Sequence, residues 1–116
     1  MSRKQRTSYR LRGRMWIEGP RGTFLGYGRV VLLERIRDHG SITAAARSME
    51  MSYRHAWQLV DSMNSQSDTP LVERACGGRG GGGTRLTTAG EHAIAVFWRA
   101  HAAFRDYMEQ QPEPRL

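Results

Sequence analysis

Hydrophobic and polar positions change their period several times along this chain. From Leu11 to Ile17 they alternate, with Leu11, Gly13, Met15 and Ile17 on one side and Arg10, Arg12, Arg14 and Trp16 on the other. A period of two predicts a strand. The stretch GPRGTFLGYG interrupts it with four glycines and a proline, which predicts a turn. RVVLLERIRDHG then places Val31, Leu32 and Ile36 at helical spacing, with Gly40 as the stop. Ser41 has the chemistry of an N-cap. The helix SITAAARSM that follows turns Ile42, Ala45, Ala46 and Met49 inward. After a break at Glu50-Met51, Ser52 caps a third helix whose buried stripe is Ala56, Leu59, Val60 and Met63.

SQSDTP reads as a loop. Leu71-Val72 leads into a hairpin, Arg85-Leu86 leads out, and residues 77–83 between them are all glycine except Arg79. Thr87 caps a long final helix with Ile94, Phe97, His101, Phe104 and Met108 in steps of three and four, the spacing of a coiled-coil seam. Pro112 and Pro114 end it. The predicted order is strand, three helices, hairpin, long helix: mainly α with a small β component. Residues 1–9 read as a flexible basic arm, 10–110 as one domain whose C-terminal helix covers about 87–110, and 111–116 as a tail.

Composition narrows the partners. The chain of 116 residues is one domain at most. It carries 18 basic against 11 acidic residues, a net charge of +7, and every basic residue but Lys4 is arginine. The excess favours polyanions, because neutralising phosphates releases counterions. A single cysteine, Cys76, excludes an internal disulfide and fits a reducing compartment. No apolar run approaches the roughly 18 residues a membrane helix needs, and the basic start lacks a following apolar segment. The expected location is the cytoplasm, with no membrane partner.

The second and third helices meet the requirements of a helix-turn-helix. Ala46 is small enough for a crossing, Met51 is the apolar residue of the break, and Ala56 with Leu59-Val60 supplies the inner side. The turn favours glycine, and Glu50 stands there at a cost of about 1 kcal/mol. With Ala56 and Val60 inward, Ser52, Tyr53, Arg54, Trp57 and Gln58 point outward. Arginine can grip guanine through two bonds, aromatic rings can touch thymine methyls, and Ser52 can hold a phosphate. Ser41 and Thr43, at the start of the preceding helix, join the candidate DNA contacts. Trp57 has a second reading, as a rim of the core folded back on the hairpin. The glycine tip suits a wing, with Arg74, Arg79 and Arg85 as phosphate contacts.

Other chemistry finds little support. GGRGGGGT lacks the Gly-Lys-Ser/Thr ending of a nucleotide-binding loop and joins two strands rather than a strand and a helix. His39, His55, His92 and His101 show no metal-ligand spacing, and no nucleophile, acid and base cluster stands out. Neither a metal, a cofactor nor an enzymatic activity is expected.

The runs FLGYGRVVLLERIRDHGSITAAARSMEMSYRHAWQLVDSMN and PLVERACGGRGGGGTRLTTAG closely resemble the N-terminal DNA-binding domain of the ModE molybdate-responsive regulators. More distantly they are similar to the winged helix of LysR-type regulators, which share the Leu-Thr-x-x-Gly ending seen at Leu86 to Gly90. The resemblance implies a winged helix-turn-helix, a homodimer through terminal helices, and a palindromic operator in double-stranded DNA. It puts Ser52, Tyr53, Arg54 and Trp57 in the major groove and the wing around Arg79 on the flanking backbone. The seam Ile94, Phe97, His101, Phe104 and Met108 becomes the dimer interface. Nothing before Leu116 resembles the molybdate-binding domains of that family, so molybdate binding is not carried over, and any effector is left to a separate binding protein. Two other classes compete: a winged helix serving as a protein-docking module, with Tyr53 and Trp57 as anchors, and a coating protein that binds nucleic acid without sequence preference.

Overall fold

A computed structural model describes residues 6–75 and 83–116; Cys76, Arg79 and most of the glycine tip lie outside the described residues, as do residues 1–5 of the basic arm. Eight elements follow in order: β1 (Ile17–Gly19), β2 (Gly22–Leu25), α1 (Tyr27–His39), α2 (Ile42–Ser48), α3 (Tyr53–Ser65), β3 (Val72–Arg74), β4 (Thr84–Leu86) and α4 (Thr88–Gln110). The strands form two separate antiparallel hairpins. In the second, Val72 pairs with Leu86, Glu73 with Arg85 and Arg74 with Thr84.

The first strand is shorter than the alternation predicts. Only Ile17 of the run 11–17 lies in a strand, and residues 10–16 carry no regular structure. Alternation makes a chain fit for pairing, but a ladder needs a partner. The partner is β2, which the glycines around Thr23, Phe24 and Leu25 conceal in the sequence, and it reaches only Ile17 to Gly19. What reads as a bare turn is a hairpin.

Helix α1 begins at Tyr27 and buries Val30, Leu32, Leu33 and Ile36, whereas Val31 is half-buried. It ends where Gly40 takes φ 74°, the left-handed geometry that stops helices, and the Gly40 amide donates to the Ile36 carbonyl at 2.8 Å. Helix α2 buries Ile42, Ala45 and Ala46, and α3 buries Ala56, Val60 and Met63. Ala45, Ala46 and Ala56 leave 1% or less of their surface exposed. Without longer side chains the helix axes approach closely. Between α2 and α3 the chain turns at Glu50, with φ 53°, and the Met51 amide donates to the Ala46 carbonyl at 2.9 Å. Glu50 is the only non-glycine residue with positive φ among the described residues.

Helix α4 has two unlike halves. Gly90, Ala93, Ile94 and Phe97 are buried, so the seam predicted as a dimer interface is corrected at Ile94 and Phe97. These two belong to the chain's own core, with Phe97 fully enclosed. The cause is α1: its Val30, Leu33 and Ile36 demand cover, and a stripe stepping by three and four serves that as well as it serves a second chain. His101 also faces its own chain, with its ring 5.3 Å from Trp98 and 5.8 Å from Phe97. From Phe104 onward nothing is fully buried. The radius of gyration, 19.2 Å, exceeds the about 13 Å of a compact chain of similar length.

Candidate nucleic-acid interface

Helix α3 starts because Ser52, in extended geometry, accepts a hydrogen bond from the His55 amide through Oγ at 3.1 Å. Its inner side is fixed by Ala56, Val60 and Met63. The 3.6-residue turn then leaves Tyr53, Arg54, Trp57 and Gln58 exposed. Tyr53 and Trp57 show 54% and 49% of their surface. Trp57 is thus half-covered at the edge of the fold rather than enclosed in the core. With Arg54 beside them, the two aromatic side chains make an exposed aromatic and cationic surface. Among the described residues, neither Arg54 nor Gln58 spends its side chain on an internal hydrogen bond, and the surface keeps its full bonding capacity.

Ser41 is half-buried and caps α2, its Oγ accepting from the Ala44 amide at 3.0 Å. Thr43, two residues on, is exposed. Each capping hydroxyl still has a proton to donate. In the second hairpin, Arg74 is exposed on β3. Arg85 is exposed too, but Nη2 pairs with Glu73 Oε1 at 2.8 Å, which offsets part of its charge. Arg79 falls outside the described residues. The tip-side end of the hairpin ladder is tied to the α1–α2 corner, where the Thr84 amide donates to the Gly40 carbonyl at 2.9 Å.

The far end of α3 carries residues that the sequence pattern does not reveal. Asn64 Oδ1 accepts from the amides of Leu71 at 2.8 Å and Val72 at 3.2 Å, and its Nδ2 donates to the Val72 carbonyl at 2.9 Å. One amide thus locks the entry to β3 against α3. Gln66 does the same for the first hairpin, donating to the Thr23 carbonyl at 3.0 Å and accepting from the Arg21 amide at 3.1 Å. Arg29 adds a bond to Ser62 Oγ at 3.0 Å. Partial burial lowers the pKa of its guanidinium below the usual value. A short loop of Ser, Gln and Asp signals polarity in the sequence, but nothing in it names these partners.

Among the described residues no three His, Cys, Asp or Glu side chains gather as a metal site, and no helix is long and apolar enough to cross a membrane. The family described as bacterial regulatory helix-turn-helix protein, lysR family, matches residues 28–91, from the first turn of α1 into the first turn of α4. The chain belongs to that family. This lysR-family chain is 37% identical over 107 residues to the molybdenum transport protein ModE of Azotobacter vinelandii, covering 92% of this chain and 40% of that protein. It is 48% identical over 73 residues to the molybdenum-pterin-binding protein MopA of Rhodobacter capsulatus, covering 63% of this chain and 28% of that protein. The transcriptional regulator ModE of Yersinia pestis is 45% identical over 69 residues, covering 60% of this chain and 26% of that protein. The chain thus spans well under half the length of the curated relatives it matches. Within its lysR-family boundaries lie α1, the α2–α3 pair and the second hairpin, the parts that make a winged helix-turn-helix.

Proposed function

We propose that this chain is the sequence-reading DNA-binding part of a cytoplasmic transcriptional regulator of the ModE type, not an enzyme, and that it works as a homodimer on double-stranded DNA. The observation that carries the reading is the exposed side of α3, where Tyr53, Arg54, Trp57 and Gln58 stand together on a chain of net charge +7. Helix α3 enters the major groove, with Arg54 gripping a guanine edge and Tyr53 and Trp57 against thymine methyls or sugars. Ser41, Thr43 and Ser52 hold phosphates from the helix starts. Arg74 and Arg85, with Arg79 on the tip, follow the flanking backbone as a wing.

The second copy docks on the outer half of α4. Phe104 and Met108 remain half-exposed there, and residues 10–16 lie across them. A Cβ on Gly13 would sit 3.1 Å from Phe104 Cζ. An open groove of about 750 Å³ runs between Leu11, Gly13, Phe104 and Met108, rimmed by Arg10, Arg12, Arg14, Arg105 and Glu109. Apolar walls with charges of both signs at the edge suit a self-complementary contact. Of the seam read from the sequence, Phe104 and Met108 keep this role.

The test is selection of bound fragments from a genomic library by the purified chain, followed by binding to the enriched duplex and to random duplex at several salt concentrations. The expected result is an inverted repeat bound at least about a thousandfold more tightly than random DNA, with steep salt dependence. Equal affinity for both duplexes would leave a coating protein, and no affinity for either a protein-docking module. The relatives' names make genes of molybdenum handling the first promoters to search.

A further inference from the structure

Two recognition helices must sit at a set separation to read an inverted repeat, and one contact in this chain bears on that separation without touching DNA. Gln66 stands one residue beyond α3. Its carboxamide is used at both ends: Nε2 donates to the Thr23 carbonyl at 3.0 Å and to Ser62 Oγ at 3.3 Å, while Oε1 accepts from the Arg21 amide at 3.1 Å. A carbonyl can only accept and an amide N–H can only donate, so the orientation of the group is fixed by its neighbours. The hairpin β1–β2 is shaped to receive it. A Cβ on Gly19 would land on Gln66 Oε1. A second tie runs beside the first, with Arg29 Nη1 donating to Ser62 Oγ at 3.0 Å.

The same hairpin has another attachment. Strand β1 continues backward without a break into residues 10–16, which reach Phe104 on the outer half of α4. One end of this unit therefore holds the foot of α3, and the other lies on the surface proposed for the second copy. From this arrangement we infer that Gln66 is a positioning residue that sets the spacing between the two recognition helices of the dimer. The inference rests on the dimeric DNA-binding reading above. Gln66 itself lies about 18 Å along the helix axis from Arg54, too far to share a base contact with it. Its loss leaves the bases read by each copy unchanged and lets each α3 tilt against the dimer axis.

The experiment is selection from a pool of duplexes carrying two half-sites with every spacing over one helical turn, using the full chain and the variants Gln66→Ala, Gln66→Glu and Gly19→Ala. Gln66→Glu keeps the acceptor for Arg21 but sets a carboxylate against the Thr23 carbonyl, and Gly19→Ala displaces an intact Gln66. Thermal melting confirms that each variant is folded, and sedimentation that it is dimeric. The unaltered chain is expected to enrich one spacing. The variants should enrich the same half-site bases, while their preference for that spacing over its neighbours falls roughly tenfold, the scale of one or two lost hydrogen bonds. Unchanged spacing preference in folded variants overturns the inference, as does loss of base preference along with spacing. If the unaltered chain enriches no paired half-sites, the dimeric reading falls and takes this inference with it. The unaltered control thus separates the two failures.

Discussion

The two ends of α3 are built on opposite terms. At the N-terminal end Tyr53, Arg54 and Trp57 stand in solvent, and the bond to Ser52 is a helix cap that holds no neighbouring element. At the C-terminal end Ser62, Asn64 and Gln66 are half-buried; Asn64 and Gln66 are bonded to two separate hairpins, and Ser62 accepts from Arg29 of α1. A helix that must present side chains to a groove needs one end bare and the other end fixed, since rigid support keeps a contact geometry within tolerance. The division of labour between the start of α3 and its C-terminal cap is the main lesson of this fold.

The comparison is broken most severely at Asn64. Replacing it by alanine strips the amides of Leu71 and Val72 and the carbonyl of Val72 of their partner, and should cost about 2–3 kcal/mol in thermal or urea unfolding. Base preference of the folded fraction should stay as it was. Arg54→Ala should do the reverse. Stability should change by no more than about 0.5 kcal/mol, while discrimination between operator and random duplex drops about 10- to 100-fold in competition anisotropy. If discrimination survives, α3 is not the reading element. Arg74→Ala, on the wing, should weaken operator and random duplex about equally and reduce the salt slope by about one. The smallest effect is expected at Glu50→Gly. Relief of the left-handed backbone at φ 53°, less the added freedom of the unfolded chain, should raise stability by about 0.5–1 kcal/mol and the melting temperature by a few degrees.

The bare end of α3 was legible because burial has a period. Once Ala56, Val60 and Met63 are assigned inward, the positions of Tyr53, Arg54 and Trp57 follow from 3.6 residues per turn. Caps were legible for the same local reason, as the bonds of Ser41, Ser52 and Thr87 to amides three residues on show. The fixed end was not legible. The partner of Gln66 at Thr23 lies 43 residues away, and no periodicity encodes a contact of that kind. Strand β2 escaped for a related reason: four residues beginning with glycine carry too little pattern to outweigh the turn signals around them. Only the inner half of the α4 stripe is assigned from spacing to the wrong neighbour, because Ile94 and Phe97 have the same spacing whether they face α1 or a second chain.

The placement of the tryptophans gives the molecule its own optical reporter. Trp98 is walled by Tyr27, Phe97 and His101 and bonded through its indole nitrogen to Glu34 at 3.0 Å, so it emits from a shielded, fixed setting. Trp57 and Trp16 are half-exposed or more and emit at longer wavelength. In a Trp16→Phe background the red edge of the spectrum belongs to Trp57 alone, and quenching there, with the blue edge steady, marks the moment a ligand lands on α3.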